Sequence, residues 1–401
     1  MRFSSNIAQL RPSATIAVST LAKRLKAEGR DIIDLSAGEP DFDTPDWIAE
    51  AGVQAIRDGH TRYTPAAGIP ELRRAIAAYH SAEAGRSLDA EGVVVGAGAK
   101  QPLFNACFTL FGPGDEVLVA EPYWTSYPEM VTLARATPVP VRGSEARDLK
   151  LTPEDLERVR TPATRGLLFS SPSNPSGAVY TLDELAAVAD WARAHDVVLL
   201  ADEIYQRIYF GDADRAPGLL ALDAGTLGPH VIFNGASKAV AMTGWRIGYS
   251  LSDVDVARQI TAFQSHTTSN AASPSQYAAL AAYSDPPRMN AAVADMGVAF
   301  RRRRDLVVAR MAERLPAIPY VRPEGAFYLY FRVDGVFGDR FTSASDVCTA
   351  VLEEVGVALV PGEAFGDPTY ARMSYATSDA VLEEAIDRMA RVLGPALAAV
   401  R

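Results

Sequence analysis

The chain has 401 residues and a net charge of −10, with 48% hydrophobic and 22% charged residues. That length supports two domains, or one large and one small, and the composition is that of a folded globular protein rather than a disordered one. The acidic balance excludes nucleic acid as a main partner, because a phosphate backbone needs a basic face.

Two cysteines, Cys107 and Cys348, make neither a disulfide framework nor a C-x-x-C pair. The histidines show no HxxxH or HExxH spacing, so no metal site is expected. No run approaches the ~18 apolar residues that cross a bilayer, and the opening stretch lacks the apolar core of a signal peptide. The expectation is a cytoplasmic protein with no membrane partner.

The segment 1–44 is rich in turn residues toward its end (AGEPDFDTPD from Ala37) and is expected to associate with the C-terminal part. Residues 45–285 alternate short apolar runs with helical patterns. The runs are GVVVG (92–96), DEVLVAEP (115–122), RGLLFSSP (165–172), VVLLADE (197–203), HVIFNGAS (230–237) and RIGYSLS (246–252). They lack polar alternation, as strands buried on both faces do. Helical patterns follow at 100–112, 181–195 and 254–264, the second opened by a Thr181/Glu184 capping box. The fold class expected is α/β, a three-layer domain with a mostly parallel sheet. Residues 286–401 change character: a long helical pattern to about 315, the runs FYLYFRV, VALVPG and ARMSYATS, and a last helix from about 378. They predict a smaller α+β domain.

Several strand ends carry chemistry. After the run at 92–96, Gly96–Ala99 leads into a helix, and such backbone can cradle an anion. Gln101 stands where a third glycine would complete G-x-G-x-x-G, and Lys100 is not followed by Ser or Thr, so the dinucleotide and P-loop patterns both fail. In SSPSNPSGAVY (170–180), Asn174 is either a turn former or an amide offered to a ligand. Asp202 ends an apolar strand, either as a helix N-cap or as the partner of a buried cation such as a protonated ring nitrogen, with Tyr205 in reach of the same ligand. Lys238, in NGASKAVAMTGWRIG (234–248), is flanked by small residues. It is either a surface lysine or a desolvated amine with a lowered pKa, suited to a Schiff base with a carbonyl. Arg246 is a surface ion-pair residue or an anion fork. Arg372 points outward from an edge strand or inward to a carboxylate. Taken together, a nucleophilic lysine, an acid, an anion cradle and two arginines fit a flat, phosphorylated, carbonyl-bearing cofactor with a ring nitrogen, namely pyridoxal phosphate.

Along nearly its whole length the sequence resembles the class I aminotransferases of fold type I, and within them the branch of aspartate and prephenate aminotransferases. The stretches that carry the resemblance are RPSATIAV, AGEPDFDTP, RYTPAAGIPELR, GAKQPLFN, EPYWTSYPEM, SPSNPSGAVY, DEIY, GASKAVAMTGWRIG, EGAFYLY and RMSYATS. The resemblance implies that Lys238 carries the cofactor and shuttles the proton at the substrate Cα. Asp202 would pair with the pyridine nitrogen, and Tyr205 and Asn174 would bind the ring's phenolic oxygen. Trp124 would stack on the ring. Arg246, Ser237 and the backbone at Ala99 and Lys100 would hold the phosphate. Tyr63 would reach the phosphate of a neighbouring subunit, which implies a homodimer with shared sites. Arg372, with the Gly38 backbone beside it, would clamp the α-carboxylate of an amino-acid or 2-oxo-acid substrate.

Two positions depart from relatives of this kind. Eukaryotic-type aspartate enzymes carry an arginine for the second carboxylate where Ser265 stands in FQSHTTSN; Lys100 and Thr15 look like its substitute. Gly235 stands where many relatives keep a serine. The expected activity is transfer of the amino group of aspartate to 2-oxoglutarate in two half-reactions; the alternatives are transfer from glutamate or aspartate to prephenate, or another amino donor. A lyase or decarboxylase on the same fold is disfavoured by Arg372 and Lys100. A DNA-binding regulator is disfavoured by the lack of a basic helix-turn-helix segment.

Overall fold

A computed structural model describes residues 4–8, 10 and 12–400 of the protein. A short strand, β1 (Ile33–Asp34), precedes seven that form the main sheet. These are β2 (Val93–Ala97), β3 (Glu116–Glu121), β4 (Thr137–Arg142), β5 (Thr164–Ser170), β6 (Val198–Asp202), β7 (His230–Gly235) and β8 (Ile247–Ser252). Their spatial order is β2-β8-β7-β6-β5-β3-β4. Strands β3 to β7 pair in parallel, and β8 runs antiparallel to both β7 and β2. The mostly parallel α/β sheet expected from the sequence is present.

Burial on both faces explains the unbroken apolar runs. Leu167, Phe169, Leu199, Ala201 and Ile232 enter one apolar cluster, covered by Leu185, Val188 and Ala192 of the helix Leu182–Ala194. Their neighbours Leu168, Leu200, Val231 and Phe233 enter another, covered by Leu103 and Cys107 of the helix Lys100–Leu110 and Ile260 of the helix Val254–Ser265. Successive side chains of a strand face opposite ways, so each face needs its own apolar set. Each large apolar side chain so buried contributes about 1.5–3 kcal/mol. The capping box forms as expected: Thr181 Oγ1 accepts from the Glu184 amide at 3.2 Å, and Glu184 Oε2 accepts from the Thr181 amide at 2.8 Å.

Several elements differ from the sequence reading, among them the helices Asp46–Arg57, Pro70–Ala84 and Ala344–Val355, which it did not name. Strand β4 was not foreseen, because Pro138 and Pro140 argue against a strand. It is the sheet's edge and pairs only with β3, so the missing N–H groups cost no ladder bond on its open side. The helix Ser273–Ser284 was also not foreseen; its sequence, SPSQYAALAAYS, is nearly all small or apolar and gives no amphipathic signal. The run VALVPG is two strands rather than one.

The second group of strands is β9 (Tyr320–Val321), β10 (Tyr328–Arg332), β11 (Val357–Ala358), β12 (Val360–Pro361) and β13 (Tyr370–Ser374). Strands β12-β13-β10-β9 make an antiparallel sheet, while β11 pairs in parallel with β1. The long helix Pro286–Arg314 and the last helix Asp379–Val400 pack on the same apolar cluster as β10 and β13. The N-terminal segment is thereby tied to the C-terminal part: Ile33 N donates to Gly356 O at 2.8 Å, and Ser374 N donates to Leu35 O at 2.8 Å.

Candidate active site

One edge of the main sheet collects the C-terminal ends of β2, β5, β6 and β7 and the start of β8. In open α/β sheets, ligands bind at this edge. A cavity of about 560 Å³ opens there, of the size that takes a small cofactor with its substrate. Its lining includes Thr15, Gly38, Ala99, Lys100, Trp124, Asn174, Asp202, Tyr205, Ser237, Lys238, Arg246 and Arg372, all named from the sequence.

Lys238 lies on a single turn of helix, Ala236–Ala239, directly after β7. Its Nζ donates to Gly38 O at 2.5 Å. Burial lowers the ammonium to about 8; the Glu39 carboxylate opposes the drop and Arg246 adds to it. At pH 7 roughly a tenth of it is then neutral, against well under a thousandth for an ordinary lysine, and the neutral amine is a nucleophile and a base. Asp202, 5% exposed, accepts from Tyr127 Oη at 2.6 Å and from the Ile204 amide at 3.2 Å. Burial pushes its carboxyl up, and those two donors together with Lys238 pull it back. A buried carboxylate facing a cavity with no bonded cation suits a cationic ring nitrogen.

The anion cradle is built of glycine contacts. Gly98 has φ +72°, and a Cβ on it would lie 2.5 Å from Arg246 Nη2. A Cβ on Gly248 would lie 2.0 Å from Ala99 N. The guanidinium of Arg246 and the N-terminus of the helix Lys100–Leu110 thus converge on one corner, and Ala99 at the N-cap brings no side-chain bond of its own. Arg246 holds φ +57° and anchors Nη1 on Thr243 O at 2.9 Å. Gly235 is explained as well: a Cβ there would meet Gly248 Cα, its partner across β7 and β8, at 2.7 Å.

Arg372 points inward, which overturns its outward alternative. It is 2% exposed and donates to Asn174 Oδ1 at 2.8 Å and to Ser36 O at 2.7 Å. Its Nε has no hydrogen-bond partner among the described residues, and none of their carboxylates lies within ion-pair distance. A buried guanidinium without a counter-charge is costly, and a substrate carboxylate would neutralise it. The carbonyl that Arg372 bonds is that of Ser36, while Gly38 O, on the same cavity wall, accepts from Lys238.

Two of the expected residues stand apart. Ser265 was expected near the substrate, but it is exposed at the end of its helix, and its Oγ donates back to Ala262 O at 2.7 Å. That i−3 bond satisfies the hydroxyl locally and keeps it out of this chain's cavity. Tyr63 is 90% exposed and also lies outside this chain's cavity. At the rim, Lys100 Nζ sits 4.6 Å over the Trp124 ring; burial and Arg246 lower its ammonium. Thr15 lies on the first turn of the helix Ala14–Ala27, its hydroxyl 3.0 Å from that of Ser13.

The sequence reading missed Tyr127 and Tyr328. Tyr127 is 1% exposed and bonds Asp202; Tyr328 is fully buried, with its hydroxyl 2.6 Å from that of Tyr205. Each stood inside a quoted motif, EPYWTSYPEM and EGAFYLY, but aromatic residues in apolar runs carry no local sign of which hydroxyl faces a ligand. The residues present fit pyridoxal phosphate: an amine of lowered pKa, a carboxylate below it, a glycine-cleared anion corner and a flat indole. Among the described residues no group of three His, Cys, Asp or Glu could hold a metal ion, and no helix is long and apolar enough to cross a membrane.

Comparison with known proteins agrees with this geometry. The family model "Aminotransferase class I and II" matches residues 30–389. The chain is 41% identical over 396 residues to an aspartate aminotransferase of Geobacillus stearothermophilus, covering 98% of this chain and 99% of that one. It is 45% identical over 393 residues to an aspartate/prephenate aminotransferase of Cereibacter sphaeroides, covering 96% and 97%. Among solved structures, an aspartate aminotransferase of Thermus thermophilus with maleate superposes with a TM-score of 0.91 at 40% identity, covering 98% of this chain and 100% of that one.

Proposed function

The chain belongs to the class I and II aminotransferase family, and from that premise we propose that it is a pyridoxal-phosphate-dependent aminotransferase moving the amino group of aspartate to 2-oxoglutarate. The observation that carries this reading is the meeting of Lys238, Asp202, Arg246 and Arg372 around one cavity. The relatives named aspartate aminotransferase support the donor.

When bound, pyridoxal phosphate supplies a carbonyl for condensation with an amine and a ring that draws electron density from the substrate Cα. The chain's own residues do the rest. Arg246 and the amides at Ala99 and Lys100 hold the phosphate, with Ser237 beside them. Asp202, kept anionic by Tyr127, holds a proton on the ring nitrogen. Trp124 offers its face to the ring. Arg372 takes the α-carboxylate of either substrate, since both half-reactions use the same clamp. Lys238 Nζ, in its neutral form and facing the cavity, takes the proton from the substrate Cα and returns it during the transfer. Lys100 and Thr15 at the rim take the distal carboxylate. In the same reading, residues 45–285 form the cofactor-holding domain. Residues 286–401, joined by 1–44, form the domain that brings Arg372. The active form is a homodimer in the cytoplasm, in which the exposed Tyr63 reaches the partner's phosphate site.

Prephenate is a second acceptor worth testing, because the relative named for it is 45% identical and its side chain also carries a carboxylate. The test is a pair of half-reactions on the purified protein loaded with pyridoxal phosphate. Aspartate, glutamate, alanine and aromatic amino acids are added in turn and the cofactor spectrum followed. The amine form is then challenged with oxaloacetate, 2-oxoglutarate and prephenate. Aspartate and glutamate are expected to react fastest, and Lys238→Ala to lose the lysine-linked absorbance and nearly all turnover. A Lys238→Ala protein that still transaminates at the native rate removes the central assignment.

A further inference from the structure

Tyr205 and Tyr328 form a buried pair in the wall of the cavity. Tyr205 follows β6 by three residues and is 5% exposed; Tyr328 begins β10 and is fully buried. Their hydroxyl oxygens are 2.6 Å apart, at the short end of the O–H···O range. The rings meet edge to face, centroids 5.7 Å apart at 78°, and Phe327 packs on Tyr205 at 5.4 Å, so neither ring turns freely. Gly38 closes the other side, since a Cβ on it would lie 2.9 Å from Tyr328 Oη.

One hydroxyl of the pair must accept the other's proton. The position of Arg372 points to Tyr328 as the donor. Its guanidinium carbon lies 4.4 Å over the Tyr328 ring, and a cation on the ring face favours loss of the phenolic proton. Burial raises both phenols, Tyr205 well above the ordinary value; Arg372 opposes the rise at both, and it is the Tyr328 ring that it lies over. The more acidic phenol is the better donor. With Tyr328 donating, the Tyr205 proton is free to point into the cavity.

We propose that Tyr328 is a positioning residue whose hydroxyl donates to Tyr205 Oη and so turns and strengthens the Tyr205 O–H as a donor to the cofactor's phenolic oxygen. The proposal rests on the pyridoxal-phosphate reading above. In a chain of hydrogen bonds each donor polarises the next, so Arg372, Tyr328 and Tyr205 act in series. Tyr328 thereby links the substrate clamp to the cofactor without touching the reacting atoms.

The consequence is a shift in titration. A donor to an anionic oxygen favours the anion, so Tyr205 lowers the pH at which the Lys238-linked cofactor loses its proton. Tyr328→Phe keeps the ring and removes only the relay, and the midpoint is expected to rise by roughly half a unit. Tyr205→Phe removes the donor itself and is expected to raise it by roughly one to two units. The double variant Tyr205→Phe/Tyr328→Phe should match Tyr205→Phe alone, because in this proposal Tyr328 acts on the cofactor only through Tyr205.

The experiment is a spectrophotometric pH titration of the wild type and these three variants loaded with pyridoxal phosphate, with KM for aspartate measured on each, and of Lys238→Ala as the reference. If the wild type shows no pH-dependent absorbance that Lys238→Ala abolishes, the cofactor reading fails and the relay with it. If the wild type titrates and Tyr328→Phe leaves the midpoint unmoved, the relay alone is wrong. Additive shifts in the double variant, or a rise in KM with no spectral shift, would assign Tyr328 to Arg372 or to packing and overturn the proposal equally.

Discussion

At the scale of single residues, Lys238 is held in tension by its surroundings. Its ordinary pKa near 10.5 falls to about 8, with burial as the main cause. In the cofactor-free protein that shift is a stability term. Between pH 8 and 10.5 the unfolded chain binds more protons at this position than the folded one, so the cost of charging Lys238 shrinks as the pH rises. Below 8 the cost is full, and above 10.5 it is gone. Lys238→Met keeps the length of the side chain and removes the charge. It should make the cofactor-free protein more stable than the wild type at pH 7, with no advantage near pH 11. The shift sets an upper limit of about 3 kcal/mol, and roughly 1–2 kcal/mol is expected after solvent screening. Urea midpoints of the two proteins at both pH values check this, and comparing the pair cancels the other titrating groups. An advantage of the same size at both pH values would mean that side-chain volume, not charge, is responsible. The same residue shows why candidate site side chains were legible in the sequence: a lysine among Gly, Ala and Ser at the end of an apolar run violates the local pattern. Tyr127 and Tyr328 violate nothing, so only the fold reveals that their hydroxyls meet Asp202 and Tyr205. Arg372 lay between the two cases, because in β13 all of Tyr370–Ser374 is buried and no alternation marked the inward face.

At the scale of elements, the anion corner depends on two backbones that nearly touch. β8 starts against β2, with Gly96 opposite Gly248, and the chain then turns through Gly98 into the helix Lys100–Leu110. A Cβ on Gly248 would meet Ala99 N at 2.0 Å, Gly98 C at 2.5 Å and Ala99 Cα at 2.6 Å. All three are backbone atoms, and none can rotate aside as a side chain would. Gly248→Ala must therefore push the helix N-terminus away from β8, taking the Ala99 and Lys100 amides with it. Affinity for pyridoxal phosphate should fall by at least about tenfold, a loss near 1.4 kcal/mol, with about 1–3 kcal/mol lost in stability from overpacking. Gly225→Ala is the control, since nothing lies within 4 Å of a Cβ there, and it should bind like the wild type. Equal affinity in both variants, by fluorescence titration, would show that the corner adapts. Elements of this sheet were legible where both faces are covered, because that demands continuous apolar runs. β4 was hidden because only an edge strand tolerates two prolines. The helix Ser273–Ser284 was hidden because six of its residues are buried, and a helix covered all round shows no stripe.

At the scale of the whole molecule, the site draws on segments far apart in the chain: Thr15 and Gly38, the strand ends of the main sheet, and Arg372 on β13. The β1–β11 pairing and the Leu35–Ser374 bond bring the first and last of these together. One proposed contributor is left over. Tyr63 is 90% exposed and lies outside its own chain's cavity, and Val53 and Ile56 on the helix Asp46–Arg57 are exposed as well. If Tyr63 completes the phosphate site of a second copy, each site combines Lys238 from one subunit with Tyr63 from the other. A protein carrying Lys238→Ala and another carrying Tyr63→Ala are then both impaired, for different reasons. Dissociated, mixed and reassociated in equal amounts, they form hybrids as about half of all dimers. In each hybrid one site has both defects and the other has neither. Recovered activity should approach about one quarter of the wild-type value per chain, the fraction that two-fold symmetry allows. Sedimentation at the same concentrations should show dimers throughout. Activity of the mixture equal to the mean of the two variants would mean that Tyr63 serves no neighbouring site, even in a protein that dimerises.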